Sequence, residues 1–150
     1  TVMVVSESLK VHFDNLALPP EAQDWLLALY DSLQALDDWY DGDFVDQRQK
    51  ELQIYNILVI LPSNPFYQRF VTYLTPLVSN LVLKWVGANA LEYNKEEFEK
   101  AFMWRAAFYD VVLEVVRITH GAEKAMLVAD YVAKMYGEKY EDYKKEFKDA

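Results

Sequence analysis

Residues Pro20 to Tyr40 read PEAQDWLLALYDSLQALDDWY, and this stretch decides the fold class. Proline suits a first helical turn, and Glu21 and Asp24 complement the positive end of a helix dipole. Leu26, Leu29, Leu33, Leu36 and Tyr40 recur at 3-4-3-4 spacing, which makes one apolar helical face. Asp41-Gly42-Asp43 then stops the helix.

Working outward, the punctuation is sparse. The 150 residues hold only 4 Gly and 5 Pro, so turns are few and elements long. Toward the N-terminus, residues 1–18 read either as a short strand or as a helix from Ser8 to Leu16. Toward the C-terminus, a second helix is expected from about Val45 to Leu61, with Ile54, Ile57, Leu58 and Leu61 as its inner stripe and Pro62 as its stop. Asn64-Pro65 is an N-cap followed by proline, and it opens a third helix to about Glu92, kinked near Pro76. Asn94 with Glu97 resembles a capping box that opens a fourth helix, running to about Thr119 and stopped by Gly121. A fifth is expected from Ala122 to Tyr136. A charged sixth follows from Glu138 to Phe147, with Tyr140, Tyr143 and Phe147 on one side. The reading is all-α: one domain over residues 1–150, a bundle of five or six helices, with a charged C-terminal helix in 138–150.

A chain of this length buries about 69% of its unfolded surface, enough for one core. Apolar residues are 53% and charged residues 26%, a globular composition. The net charge of -9 argues against nucleic acid and against an anionic membrane surface as partner. With no cysteine, thiolate metal sites and cysteine nucleophiles are excluded. Val2-Met3-Val4-Val5 is too short for a signal peptide. Phe70 to Leu91 is apolar, but Lys84, Asn80, Asn89 and Pro76 interrupt it, so it reads as a buried central helix rather than a membrane span. A cytoplasmic location is expected.

Chemistry concentrates in Asp37-Asp38-Trp39-Tyr40-Asp41. Asp37 and Asp41 are four apart, so both carboxylates project to one side of a helix and could ligate Mg²⁺. At 100° per residue Asp37 lies about 20° from Leu26, at the border of the apolar face, with Asp41 about 40° further toward solvent. A helix end rich in Asp is also simply soluble and turn-forming. In the fourth helix, Arg105 falls among Phe98, Phe102, Tyr109, Val112 and Val116. A buried Arg needs partners: a structural carboxylate, or an anion held together with Lys84. Asp110, Glu114 and Arg117 form a polar strip on the same helix. The aromatics are mostly core, while Tyr140 and Tyr143 could cover a partner.

DDWYD resembles the DDxxD motif of class I isoprenoid synthases. That resemblance implies an all-helical fold and Mg²⁺–diphosphate binding through Asp37 and Asp41. Glu96-x-x-Glu99 resembles half of the carboxylate motif of all-α nucleotide pyrophosphohydrolases, which implies Mg²⁺ and a nucleotide. Gly42 after the first clear helix, Asn64-Pro65-Phe66, Trp85 and Tyr109-Asp110 are similar to small helical proteins of tailed phages, a resemblance that implies no activity. Two functions follow as expectations. The first is a protein acting through protein–protein contact or self-association as a homo-oligomer. The second is a Mg²⁺-dependent enzyme on a diphosphate or nucleotide, with Asp37 and Asp41 on metal and Arg105 and Lys84 on anionic oxygens.

Overall fold

A computed structural model describes residues 2–147, with side chains from Ser8 onward. The chain is all-α, and no strand occurs among the described residues. Contacts divide it into two compact units, Thr1–Val71 and Thr72–Ala150. No helix among the described residues is long and apolar enough to cross a membrane.

In the first unit, α1 (Val2–Asn15) settles the open reading of the N-terminus as a helix. Leu9, Phe13 and Leu16 lie on one side and are buried. The helix ends in a Schellman turn: Ala17 N–H donates to Asp14 O at 2.9 Å and Leu18 N–H to Phe13 O at 3.1 Å. Ala17 accordingly takes a positive φ of 54°. Helix α2 (Pro20–Tyr40) has the expected limits, with proline at its start. Gln23 clasps the α1–α2 corner. Its amide donates to Leu18 O at 2.9 Å and Asp14 Oδ1 at 3.0 Å, and its Oε1 accepts from Lys10 at 2.9 Å. The Gln23 and Lys10 hydrogen bonds hold the Asp14 carboxyl below its ordinary value.

The apolar face of α2 is buried only in its first half. Ala22, Trp25, Leu26 and Leu29 are buried, whereas Leu36 and Tyr40 are exposed. The second half packs instead on α3 (Gln47–Tyr55), which continues through a π-helical turn (Asn56–Ile60) into α4 (Leu61–Ser63). In the π turn Leu61 N–H donates to Asn56 O, five residues back. The wide turn immediately precedes Pro62, which lacks a donor and crowds the carbonyl four residues back. The apolar run Ile57–Leu61 is therefore helical, as expected, but only part of its expected inner stripe is covered, with Ile57 and Leu61 half-buried. Ile54 and Leu58 are exposed. The side turned to α2 is polar: Asn56 Nδ2 donates to Ala28 O at 2.9 Å and Ser32 Oγ at 2.6 Å, and Ser32 Oγ donates to Gln53 Oε1 at 3.3 Å.

Helix α5 (Pro65–Arg69) is capped by Asn64, whose Oδ1 accepts from Tyr67 N–H at 3.0 Å. Asn64 Nδ2 also donates to Glu21 O, tying this start to α2. Tyr67 stacks on Trp25 with ring centroids 5.3 Å apart.

In the second unit the long helix is α6 (Val71–Asn94). The chain breaks at Phe70, between α5 and α6, so the expected third helix is two. Pro76 lies inside α6. The expectation of a buried central helix is corrected as well. Only Leu74, Leu81 and Ala88 are buried, a seven-residue stripe, while Val82, Leu83 and Val86 are exposed.

Asn94 and Glu97 do not form a capping box. Asn94 is the last residue of α6, which closes in a second Schellman turn: Lys95 N–H donates to Glu92 O and Glu96 N–H to Leu91 O. Lys95 and Glu97 both have positive φ. The expected fourth helix is again two, α7 (Phe98–Arg105) and α8 (Phe108–His120), parted at Ala106-Ala107. Gly121, with φ 94°, turns the chain into α9 (Ala122–Lys134), which packs along α8. Helix α10 (Tyr140–Lys145) is shorter than expected and packs on α7. These breaks raise the helix count above five or six.

Two cores hold this unit. Val111, Val112, Val115 and Val116 of α8 are fully buried. Around Ala88, Ala101 and Tyr143 gather Leu91, Phe98, Phe102, Tyr140 and Phe147. Tyr143 is thus a core residue of its own chain, not a covering for a partner. Gly87 lets the Trp104 ring lie close, because a Cβ there would stand 2.6 Å from that ring and force it to shift.

Candidate functional site

The acidic motif occupies the C-terminal end of α2. Asp41 N–H donates to Asp37 O at 2.9 Å. Gly42 N–H donates to Trp39 O and Asp43 N–H to Asp38 O, a third Schellman turn with Gly42 at φ 78°. The motif is therefore built into a helix stop. Its carboxylates face the negative end of the dipole, and the last turn of α2 holds no basic residue. Partial burial, then the charges of Asp43 and Asp37, push the Asp38 carboxyl above the ordinary value. Asp46 has a separate task, since its Oδ1 accepts from Gln49 N–H at 2.9 Å and caps α3. Asp37 and Asp41 remain a pair of carboxylates one turn apart. Among the described residues, no group of three or more His, Asp or Glu could hold a metal ion.

Arg105 and Lys84 lie in the second unit, whereas Asp37 and Asp41 lie in the first. Arg105 makes a two-pronged pair with Glu92. Its Nε donates to Oε2 at 2.8 Å, and Nη2 reaches both Glu92 Oε1 and Asn89. The two side chains are only 17% and 14% exposed. The Tyr143 hydroxyl donates to the same Glu92 Oε2 at 2.6 Å. Burial first, then this carboxylate, raises the Tyr143 hydroxyl above its ordinary value. Glu92 thus links α6, α7 and α10. Lys84 pairs with Asp110 at 3.1 Å, from α6 to α8. Arg117 donates to Glu114 at 2.6 Å and lies over the Tyr73 ring. The structural-carboxylate reading of Arg105 describes what is seen. The partner Glu92 was not foreseen, although it falls four residues after buried Ala88 and hence on its side of α6.

Glu96 and Glu99 do not share a helical face. Glu96 belongs to the turn that closes α6, and Glu99 to the first turn of α7.

The feature with the clearest consequence is the outward side of α3 and its π turn. Leu52, Ile54, Tyr55, Leu58, Val59 and Ile60 are 38% to 69% exposed. No residue of α3 or of the π turn is buried. The segment turns its amides toward α2 and leaves its apolar side chains exposed, except half-buried Ile57. The turn leading into it adds exposed Tyr40 and Phe44. The signal was present in the spacing of Gln53 and Asn56, three apart on one side of an otherwise apolar segment.

No protein-family model, no curated protein and no solved structure matches this chain.

Proposed function

We propose that the chain is a cytoplasmic interaction protein that works by protein contact through the outward side of α3 and its π turn. One observation carries this reading. A segment containing Leu52, Ile54, Tyr55, Leu58, Val59 and Ile60 buries none of them within its own fold. Ser32, Gln53 and Asn56 satisfy one another on the inner side, so the register is held by hydrogen bonds and is not an accident of loose packing. Exposed apolar side chains weaken solubility unless a partner covers them, and covering them supplies the hydrophobic gain that drives association.

The test is a photo-crosslinking amino acid placed at Leu58 in living cells that make the chain. A second variant carries it at exposed Lys124 on α9. A discrete adduct from position 58 and none from position 124 is expected. No adduct from position 58, or equal labelling from both, contradicts the proposal.

A further inference from the structure

We infer that the partner of this face is the same face on a second copy of the chain, paired antiparallel about a two-fold axis. The inference rests on the contact reading above and adds the identity of the occupant. Three properties of the face lead to it.

The first is area. Exposed Tyr40, Phe44 and Tyr55 present roughly 400 Å², taking about 200 Å² for an aromatic side chain, and half-exposed Leu52, Ile54, Leu58, Val59 and Ile60 add roughly 250 Å² at about 100 Å² each. Two such faces together bury about 1,300 Å², near the lower limit for a specific interface, and Tyr40 and Phe44 are needed to reach it.

The second is charge. From Leu52 to Gln68 the sequence has no charged residue. Arg48, Lys50 and Glu51 flank the face at its N-terminal end only. In an antiparallel pair, the charged start of one α3 lies opposite the uncharged Leu61–Asn64 end of the other. No like charges meet at the contact, although each copy carries -9 overall. A partner chosen by charge would instead be basic, and the face itself offers such a partner nothing to pair with.

The third is closure. A helical face that meets itself about a two-fold axis is used up in the dimer, so assembly stops at two. The inward amides are already engaged with Ser32 and Ala28, so pairing strands no amide against the partner, and the Tyr55 hydroxyl is the polar group the apolar side chains of the face carry.

Sedimentation equilibrium of the purified chain over a dilution series tests this. The expected mass is twice 17.6 kDa, falling to 17.6 kDa on dilution through the micromolar range. Added salt should tighten the pair, because it screens repulsion between two chains of charge -9 while leaving apolar contact intact. Ile54→Glu and Leu58→Glu should each weaken association more than tenfold and keep the helical circular dichroism of the parent. Met126→Glu, at an exposed apolar residue on α9, should leave it unchanged. A monomer at every concentration overturns the self-pairing. So does an open series of larger masses, or a dimer that Ile54→Glu and Leu58→Glu leave intact. If the chain is monomeric while crosslinks from position 58 reach another protein, the contact reading stands and only the choice of occupant fails.

Discussion

Helix α8 and the α3–π segment are both rich in apolar residues, yet they use them in opposite ways. In α8, Val111, Val112, Val115 and Val116 are fully buried, and Asp110, Glu114 and Arg117 hold the outer strip. In α3 and its π turn nothing is buried, the amides of Gln53 and Asn56 face α2, and Ile54 and Leu58 face out. The same hydrophobic effect acts on both. The difference lies in what each neighbour offers. Helix α9 lies along α8 and covers its valines. The stretch of α2 facing α3 offers Ser32 and the Ala28 carbonyl, which select amides. A helix's apolar content states how much surface needs covering, and its neighbours decide whether the cover lies within the fold.

The sharpest way to break this contrast is to place one charge on each segment. Val112→Asp buries a carboxylate without a partner and should cost more than about 4 kcal/mol, abolishing the cooperative thermal transition. Leu58→Asp, measured at dilution, should change unfolding stability by no more than about 0.5 kcal/mol. Equal losses in the two variants would show that α3 is core.

A polar contrast comes next. The Arg105–Glu92 pair is shielded, and removing one partner leaves a charge without its counter-ion. Arg105→Met should cost about 3 kcal/mol in urea denaturation, and the double variant Arg105→Met/Glu92→Met should recover most of it. A double variant as unstable as the single one would show that packing, not charge, is at stake. Gly87→Ala should cost about 1–3 kcal/mol, because the new methyl must displace the Trp104 ring.

The smallest effect belongs to the end of α2. The Asp38 carboxyl titrates above its ordinary value in the folded chain, so the folded state holds that proton more tightly than the unfolded state does. Its ionised form therefore opposes folding at neutral pH, and the opposition fades as pH falls through the raised value. Asp38→Asn should stabilise by a few tenths of a kcal/mol near pH 7. The gain should vanish below the ordinary value of 3.8. A gain that persists in acid would point to a cause other than charge.

How much of this was legible depends on what marks each element. Helix α2 could be read to its last residue, because Pro20 and Gly42 act locally and nothing distant overrides them. The all-α class followed from the same periodicity. Of the expected inner stripe, Ile57 and Leu61 are half-buried while Ile54 and Leu58 are exposed, for two reasons. The π turn adds a residue that shifts the helical phase, and the inward neighbours are polar, which apolar spacing does not reveal. The fourth helix was read through its break at Ala106-Ala107, since alanine gives no stop signal. Asn94 and Glu97 matched a start motif, but backbone hydrogen bonds from Lys95 and Glu96 made the same residues an ending. At the candidate site, the acidic motif was visible as spacing, whereas the partners of Arg105 and Lys84 required the packing of α6.

If α3 carries its apolar side for contact and not for folding, a charge there must separate the copies without unfolding them. Light-scattering mass of the wild type beside Leu58→Glu, at one concentration and with matched circular dichroism, tests that most directly. A dimer for the wild type and a monomer of equal helicity for the variant are expected. A variant that loses helicity, or one that keeps the wild-type mass, would contradict that expectation.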